Sequence, residues 1–135
     1  MPAVKTKLPT ILTSRLIANL FSDDIQASKD FYENILDFKT EFESNWYINL
    51  KSRSSQIEIG LFPKTTDLIP KNYVQSPSGV NLSFVVNDLD EVYERAISIN
   101  AHIVQKPEDD FYGQRRMLLE DPNGLLLDIS SRIEQ

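Results

Sequence analysis

At 135 residues, 41% of them hydrophobic, the chain has apolar material for one core and not for two independent domains. It has no cysteine, which excludes disulfides, thiolate metal sites and cysteine nucleophiles. Its formal charge of −6, with no cluster of lysine and arginine, argues against nucleic acid as a partner.

The start, MPAVKTKLPTILTSR, carries lysines without the unbroken apolar stretch of a signal peptide, and no apolar run of membrane-spanning length follows. A cytoplasmic setting with no membrane contact is the expectation. Residues 1–14 contain Pro2 and Pro9 and no period, and read as an arm outside the core. Residues 15–21 alternate as a strand, with Leu16, Ala18 and Leu20 on one side and Ile17, Asn19 and Phe21 on the other.

Residues 22–36 bring Ile25, Ser28, Phe31, Tyr32, Ile35 and Leu36 onto one stripe of an amphipathic helix. Ser22, Asp23 and Asp24 offer oxygens and negative charge to the free N–H groups of its first turn. Strand-like runs follow at 38–43, 45–51 and 56–62, which completes a βαβββ module over 15–62. Residues 63–78, holding Pro63, Pro70 and Pro77, read as a connection.

The same order returns over 79–135. A strand at 79–87 leads into a helix capped by Asp88, whose stripe is Leu89, Val92, Tyr93, Ala96 and Ile97. Strands follow at 102–106, 115–120 and 125–131, and the turn Asp121-Pro122-Asn123-Gly124 sets up the last pair. Asp24 and Asp88 stand 64 positions apart, as do Ile17 and Asn81. A duplicated module within one domain over 1–135 is the expected organisation.

The segments SDDIQASKDFYENILDF, GVNLSFVVNDLDEVYERA and YGQRRMLLEDPNGLLLDI, in this order, resemble the vicinal-oxygen-chelate superfamily of glyoxalases, bleomycin-resistance proteins and extradiol dioxygenases. On the first helix, Asp24, Ser28, Phe31 and Tyr32 match that family's pattern. The resemblance implies an α+β fold in which two βαβββ modules with mixed sheets form a curved cup, the helices on the convex side and the ligand or metal on the concave side. Alternation then gives the helix side Leu16, Ala18, Leu20, Ile57, Ile59, Leu61, Leu82, Phe84, Val86, Leu125, Leu127 and Ile129. The concave side receives Ile17, Asn19, Phe21, Gln56, Glu58, Gly60, Asn81, Ser83, Val85, Leu126, Asp128 and Ser130.

Metal enzymes of the family commonly use two histidines and two glutamates, and these positions fall on Ile17, Asn81, Glu58 and Asp128. An isoleucine has no lone pair to give, and an amide oxygen is a poor ligand for a borderline transition metal. No metal and no cofactor are expected. His102, the sole histidine, lies outside the ligand positions and is read as structural.

Glu58 and Asp128 remain as candidate general bases, because burial and mutual proximity raise a carboxyl pKa. The alternative is that both are solvated cup residues or are paired with a basic neighbour such as Arg115. Asn19, Phe21, Tyr47, Asn49, Asn81, Tyr112 and Arg115 complete the candidate ligand-binding set, and aromatic walls favour flat or cationic ligands.

Three functional readings stand. The first is a metal-independent protein, similar to the bleomycin-resistance and antibiotic-sequestering members, that binds an amphiphilic or cationic small molecule. The second is a lyase, isomerase or dioxygenase-like enzyme using Glu58 and Asp128, and the third is a regulatory module with a vestigial cup. The resemblance also implies a homodimer in which halves of two chains complete each cup, since open concave sheets leave edges and apolar surface to cover.

Overall fold

The computed structural model describes residues 8–133. The first module runs β1 (Ile17–Ser22), α1 (Ile25–Leu36), β2 (Lys39–Glu43), β3 (Ile48–Lys51) and β4 (Glu58–Pro63). The second runs β5 (Asn81–Val85), α2 (Leu89–Ser98), β6 (His102–Asp109), β7 (Gln114–Glu120) and β8 (Leu126–Arg132). Each forms one mixed sheet, ordered β1-β4-β3-β2 and β5-β8-β7-β6. β1 pairs with β4, and β5 with β8, in parallel, an arrangement that needs the long crossover supplied by the helix and the strands after it. No helix among the described residues is long and apolar enough to cross a membrane.

Local chemistry sets the element ends. The Asp24 carboxylate accepts from the backbone N–H of Gln26 and of Ala27, both at 3.1 Å, which starts α1 at Ile25. Ser22 therefore belongs to β1, and its hydroxyl meets that of Ser28 at 3.0 Å. β3 begins at Ile48 and not at 45, because the Ser44 hydroxyl accepts from the N–H of Trp46 and Tyr47 and holds those residues in a turn. β6 extends past 106 to Asp109 and includes Pro107. This is tolerated because β6 is an edge strand, where a missing N–H costs no ladder bond. Residues 8–14 are exposed and carry no regular element; the rest of the expected arm lies outside the described residues.

Both sheets turn one face to a single core. Phe31, Tyr32, Ile35 and Phe38 from the first module pack in the same buried cluster as Phe84, Leu89, Val92, Met117 and Leu119 from the second. Phe38 meets Phe84 edge-on, 6.1 Å between centroids, and Arg95 reaches Asp37 at 3.0 Å. The helix-side assignments Leu20, Ile59, Leu61, Phe84, Leu125, Leu127 and Ile129 are buried. Leu16 and Ile57 are not: they are 78% and 44% exposed. Each sits just before its strand begins, beyond the helices that cover the rest of that face.

The tightest link between modules is polar. Tyr32, fully buried, donates its hydroxyl to Asp121 Oδ2 at 2.6 Å. Asp121 also accepts from the backbone N–H of Asn123 at 2.8 Å and of Leu125 at 3.0 Å, while the Ser28 hydroxyl reaches Asn123 Oδ1 at 3.2 Å. The recognisable residues of the first helix and the Asp-Pro-Asn-Gly turn are thus two halves of one latch. Both helices lie on the core side, so the opposite faces of the two sheets are left without a helix.

Candidate functional site

On the first sheet, β1, β4 and β3 line up the concave side chains in rows. Ile17, Glu58 and Lys51 form one, and Asn19, Gly60 and Asn49 the next. Phe21 and Phe62 follow.

In the first row the Glu58 carboxylate is clamped. Arg15 donates Nε to Oε2 at 2.6 Å and Nη2 to Oε1 at 2.5 Å, a bidentate pair, and Asn49 Nδ2 adds a bond to Oε1 at 3.2 Å. The guanidinium's hydrogen bonds hold the Glu58 pKa down to about 2, even though its side chain is only 8% exposed and burial opposes ionisation. The expected upward shift is therefore reversed, because a cation that sequence spacing could not reveal sits on the carboxylate.

In the second row Gly60 makes a notch. The Tyr47 hydroxyl crosses it to donate to Asn19 Oδ1 at 2.9 Å, and a Cβ at position 60 would overlap both groups. Below this row the rings form a ladder. Phe21 stacks with Phe62 at 5.9 Å, Phe62 meets Tyr47 at 4.6 Å, Tyr47 stacks with Trp46 at 6.0 Å, and Trp46 meets Phe42 at 5.6 Å. The outer rungs, Trp46 and Phe42, are exposed. Phe42 joins the ladder through a bulge in β2 between Thr40 and Phe42, which brings it opposite Asn49.

On the second sheet Asn81 lies opposite Leu126, and Ser83 lies opposite Asp128. Asp128 Oδ1 accepts from Arg116 Nε at 2.9 Å. Arg116, not Arg115, is the basic residue on this face. Arg115 shares the core side with Met117 and Leu119, and pairs with Asp90 at 3.0 Å and Asp109 at 2.8 Å. Tyr112, with Ser83, Arg116, Asp128 and Ser130, lines a cavity of about 240 Å³. Beside it, Phe111 at the β6–β7 tip is 97% exposed.

The structure therefore brings Asn19, Phe21, Tyr47, Asn49 and Glu58 together on the first sheet. Asn81 and Asp128 are on the second, and Tyr112 is in its β6–β7 turn. Glu58 and Asp128 line different cavities, each closed by its own arginine. Sequence reasoning missed Arg15, Phe42, Phe62 and Arg116. Of these, only Phe62 carried a signal, as the continuation of the alternation through Glu58 and Gly60.

The four positions corresponding to family metal ligands do not fit a divalent ion. Ile17 supplies no donor, both Glu58 oxygens are engaged by Arg15, and Asp128 faces Arg116. No group of three or more His, Cys, Asp or Glu suited to a metal exists among the described residues. His102 pairs with Glu120 at 3.3 Å on the exposed end of β6.

A family model described as Glyoxalase/Bleomycin resistance protein/Dioxygenase superfamily matches residues 14–129. No curated protein matches the chain. Among solved structures, a glyoxalase/bleomycin resistance protein/dioxygenase family enzyme from Burkholderia phytofirmans PsJN is 22% identical. It superposes with a TM-score of 0.73 over 87% of this chain and 97% of its own. TioX from Micromonospora sp. ML1 is 18% identical, with a TM-score of 0.68 over 90% of this chain and 98% of its own. A superfamily member from Sphaerobacter thermophilus DSM 20745 is 21% identical, with a TM-score of 0.72 over 90% and 98%. At these identities the likeness establishes the fold alone.

Proposed function

Because the chain belongs to the Glyoxalase/Bleomycin resistance protein/Dioxygenase superfamily, we propose that it is a metal-independent protein of the cytoplasm that binds and sequesters an amphiphilic small molecule. The observation that carries this reading is the aromatic ladder, whose exposed end at Trp46 and Phe42 offers stacking surface beside the polar Tyr47–Asn19 pair. Aromatic contacts of this kind contribute about 0.5–1.5 kcal/mol each beyond area burial. A cationic ligand gains cation–π attraction from the same rings, but little from Glu58 and Asp128, whose charges are already matched by arginine.

The alternative, an enzyme using Glu58 and Asp128, has less support. A carboxylate held near a pKa of 2 is a weak base, whereas a general base works best with a pKa near the operating pH. The protein acts as a homodimer in this reading, with Val85, Phe111 and Tyr112, all exposed in the single chain, covered when two copies complete each cup.

Trp46 is the sole tryptophan, so its fluorescence reports on the ladder. Titration with a panel of planar aromatic amines and amides is expected to give saturable quenching by at least one compound. Tyr47→Leu, which removes the central ring, is expected to weaken that compound about tenfold, the loss of one strong stacking contact. Saturable binding that ignores Tyr47→Leu, or none across the panel, would sink the ladder reading and favour a vestigial cup.

A further inference from the structure

We propose that the cleft between the two modules is a second binding site, separate from the ladder, and that it takes an amphiphilic anion: a carboxylate or phosphate group joined to an apolar tail. The cleft encloses about 960 Å³. Leu16 and Ile57 from the first module and Leu82 and Phe84 from the second form its apolar walls. Leu16 and Ile57 are the residues that alternation directs to the core and the structure leaves uncovered, so the cleft offers unpartnered apolar surface already shaped by two walls.

The rim is cationic in a protein whose net charge is −6. Its charged members are Arg15, Lys51 and Glu58, and Glu58 is fully engaged by Arg15 and Asn49. Arg15 binds it through Nε and Nη2, which leaves Nη1 outside the pair. Lys51 stands across the strands from Glu58 and forms its ion pair with Glu41 at 3.9 Å, a loose contact that a bound anion can outcompete. Ser14 and Ser55 add hydroxyl donors to the same rim. An ammonium ligand would meet net positive charge there, and an inorganic anion would leave the apolar walls unused. A molecule with an anionic end and an apolar end matches both parts.

Calorimetric titration of the full chain with octanoate, octyl phosphate, octanol, octylamine and inorganic phosphate separates these chemistries. Octanoate or octyl phosphate is expected to bind at least about tenfold more tightly than octanol, and the stronger of the two identifies the head group. Octylamine and inorganic phosphate are expected not to bind. Lys51→Gln, which spares the Arg15–Glu58 pair, is expected to weaken the preferred anion about tenfold, the scale of one charge contact at a partly solvated site. It should leave the unfolding midpoint and ladder binding unchanged. Equal binding of octanol and octanoate, tighter binding of octylamine, binding of inorganic phosphate as strong as that of octyl phosphate, or an unaffected Lys51→Gln variant would each overturn the proposal. Because the ladder is read separately by Trp46 fluorescence, failure of one site is distinguishable from failure of the other.

Discussion

Asp121→Ala is expected to destabilise the protein by about 3–5 kcal/mol. Asp121 is buried and gathers donors from Tyr32, from the backbone N–H of Asn123 and Leu125, and from the Asn123 amide. Hydrogen bonds to a charged acceptor contribute about 1.5–3 kcal/mol each, and buried donors left without a partner add about 1–3 kcal/mol, with neighbouring losses far from additive.

Tyr32→Phe removes only one of these bonds and keeps the ring packed against Phe31 and Phe38; a loss of about 1–2 kcal/mol is expected. Chemical denaturation followed by circular dichroism measures both. The two residues come from different modules, so a loss below about 1 kcal/mol for Asp121→Ala would contradict the latch.

The same bond has a pH signature. Burial, with the adjacent Asp121 charge, pushes the Tyr32 phenol well above its ordinary range. A group whose folded pKa is raised contributes stability that is complete below its unfolded pKa, near 10, and lost as pH rises through the folded value. Alkaline unfolding is expected to be shallower in Tyr32→Phe than in the native protein.

Arg15→Gln is expected to release Glu58. With the guanidinium gone, burial competes with the Asn49 hydrogen bond and the Lys51 charge, and the carboxyl should titrate clearly higher, toward the ordinary glutamate range near 4.3 instead of near 2. The sign of the stability effect follows: a depressed folded pKa contributes stability present above the unfolded value and lost as pH falls through the folded one. The deficit of Arg15→Gln relative to the native protein should therefore be full at neutral pH and shrink between about pH 4.3 and the folded value near 2. A side-chain carboxyl NMR titration reads Glu58 directly, and a value still near 2 in the variant would mean that Arg15 is not the cause.

Much of this was legible before the structure. Alternation assigned Asn19, Phe21 and Glu58 to one face and Leu20, Ile59 and Leu61 to the other, because strands buried on one side repeat with period two. It failed on the second arginine pair because RRMLLE carries an apolar Leu118 on the open face, opposite Asp128, and this hides which arginine shares that face. Arg15 reaches Glu58 across 43 positions, a pairing that only the parallel β1–β4 register creates. Phe42 was hidden by a bulge, which shifts face without changing composition. Ser28, Tyr32 and the Asp-Pro-Asn-Gly turn were visible as motifs, but that they bind one another depends on how the modules dock.

Binding without a metal can be read from the protein itself, by elemental analysis of untagged material purified without chelator. The donor set around Ile17, Glu58, Asn81 and Asp128 predicts no stoichiometric nickel, zinc, manganese or iron, and no gain of metal on dialysis against these ions. One bound ion per chain, lost in Glu58→Gln and accompanied by metal-dependent turnover, would contradict it and make the chain an enzyme.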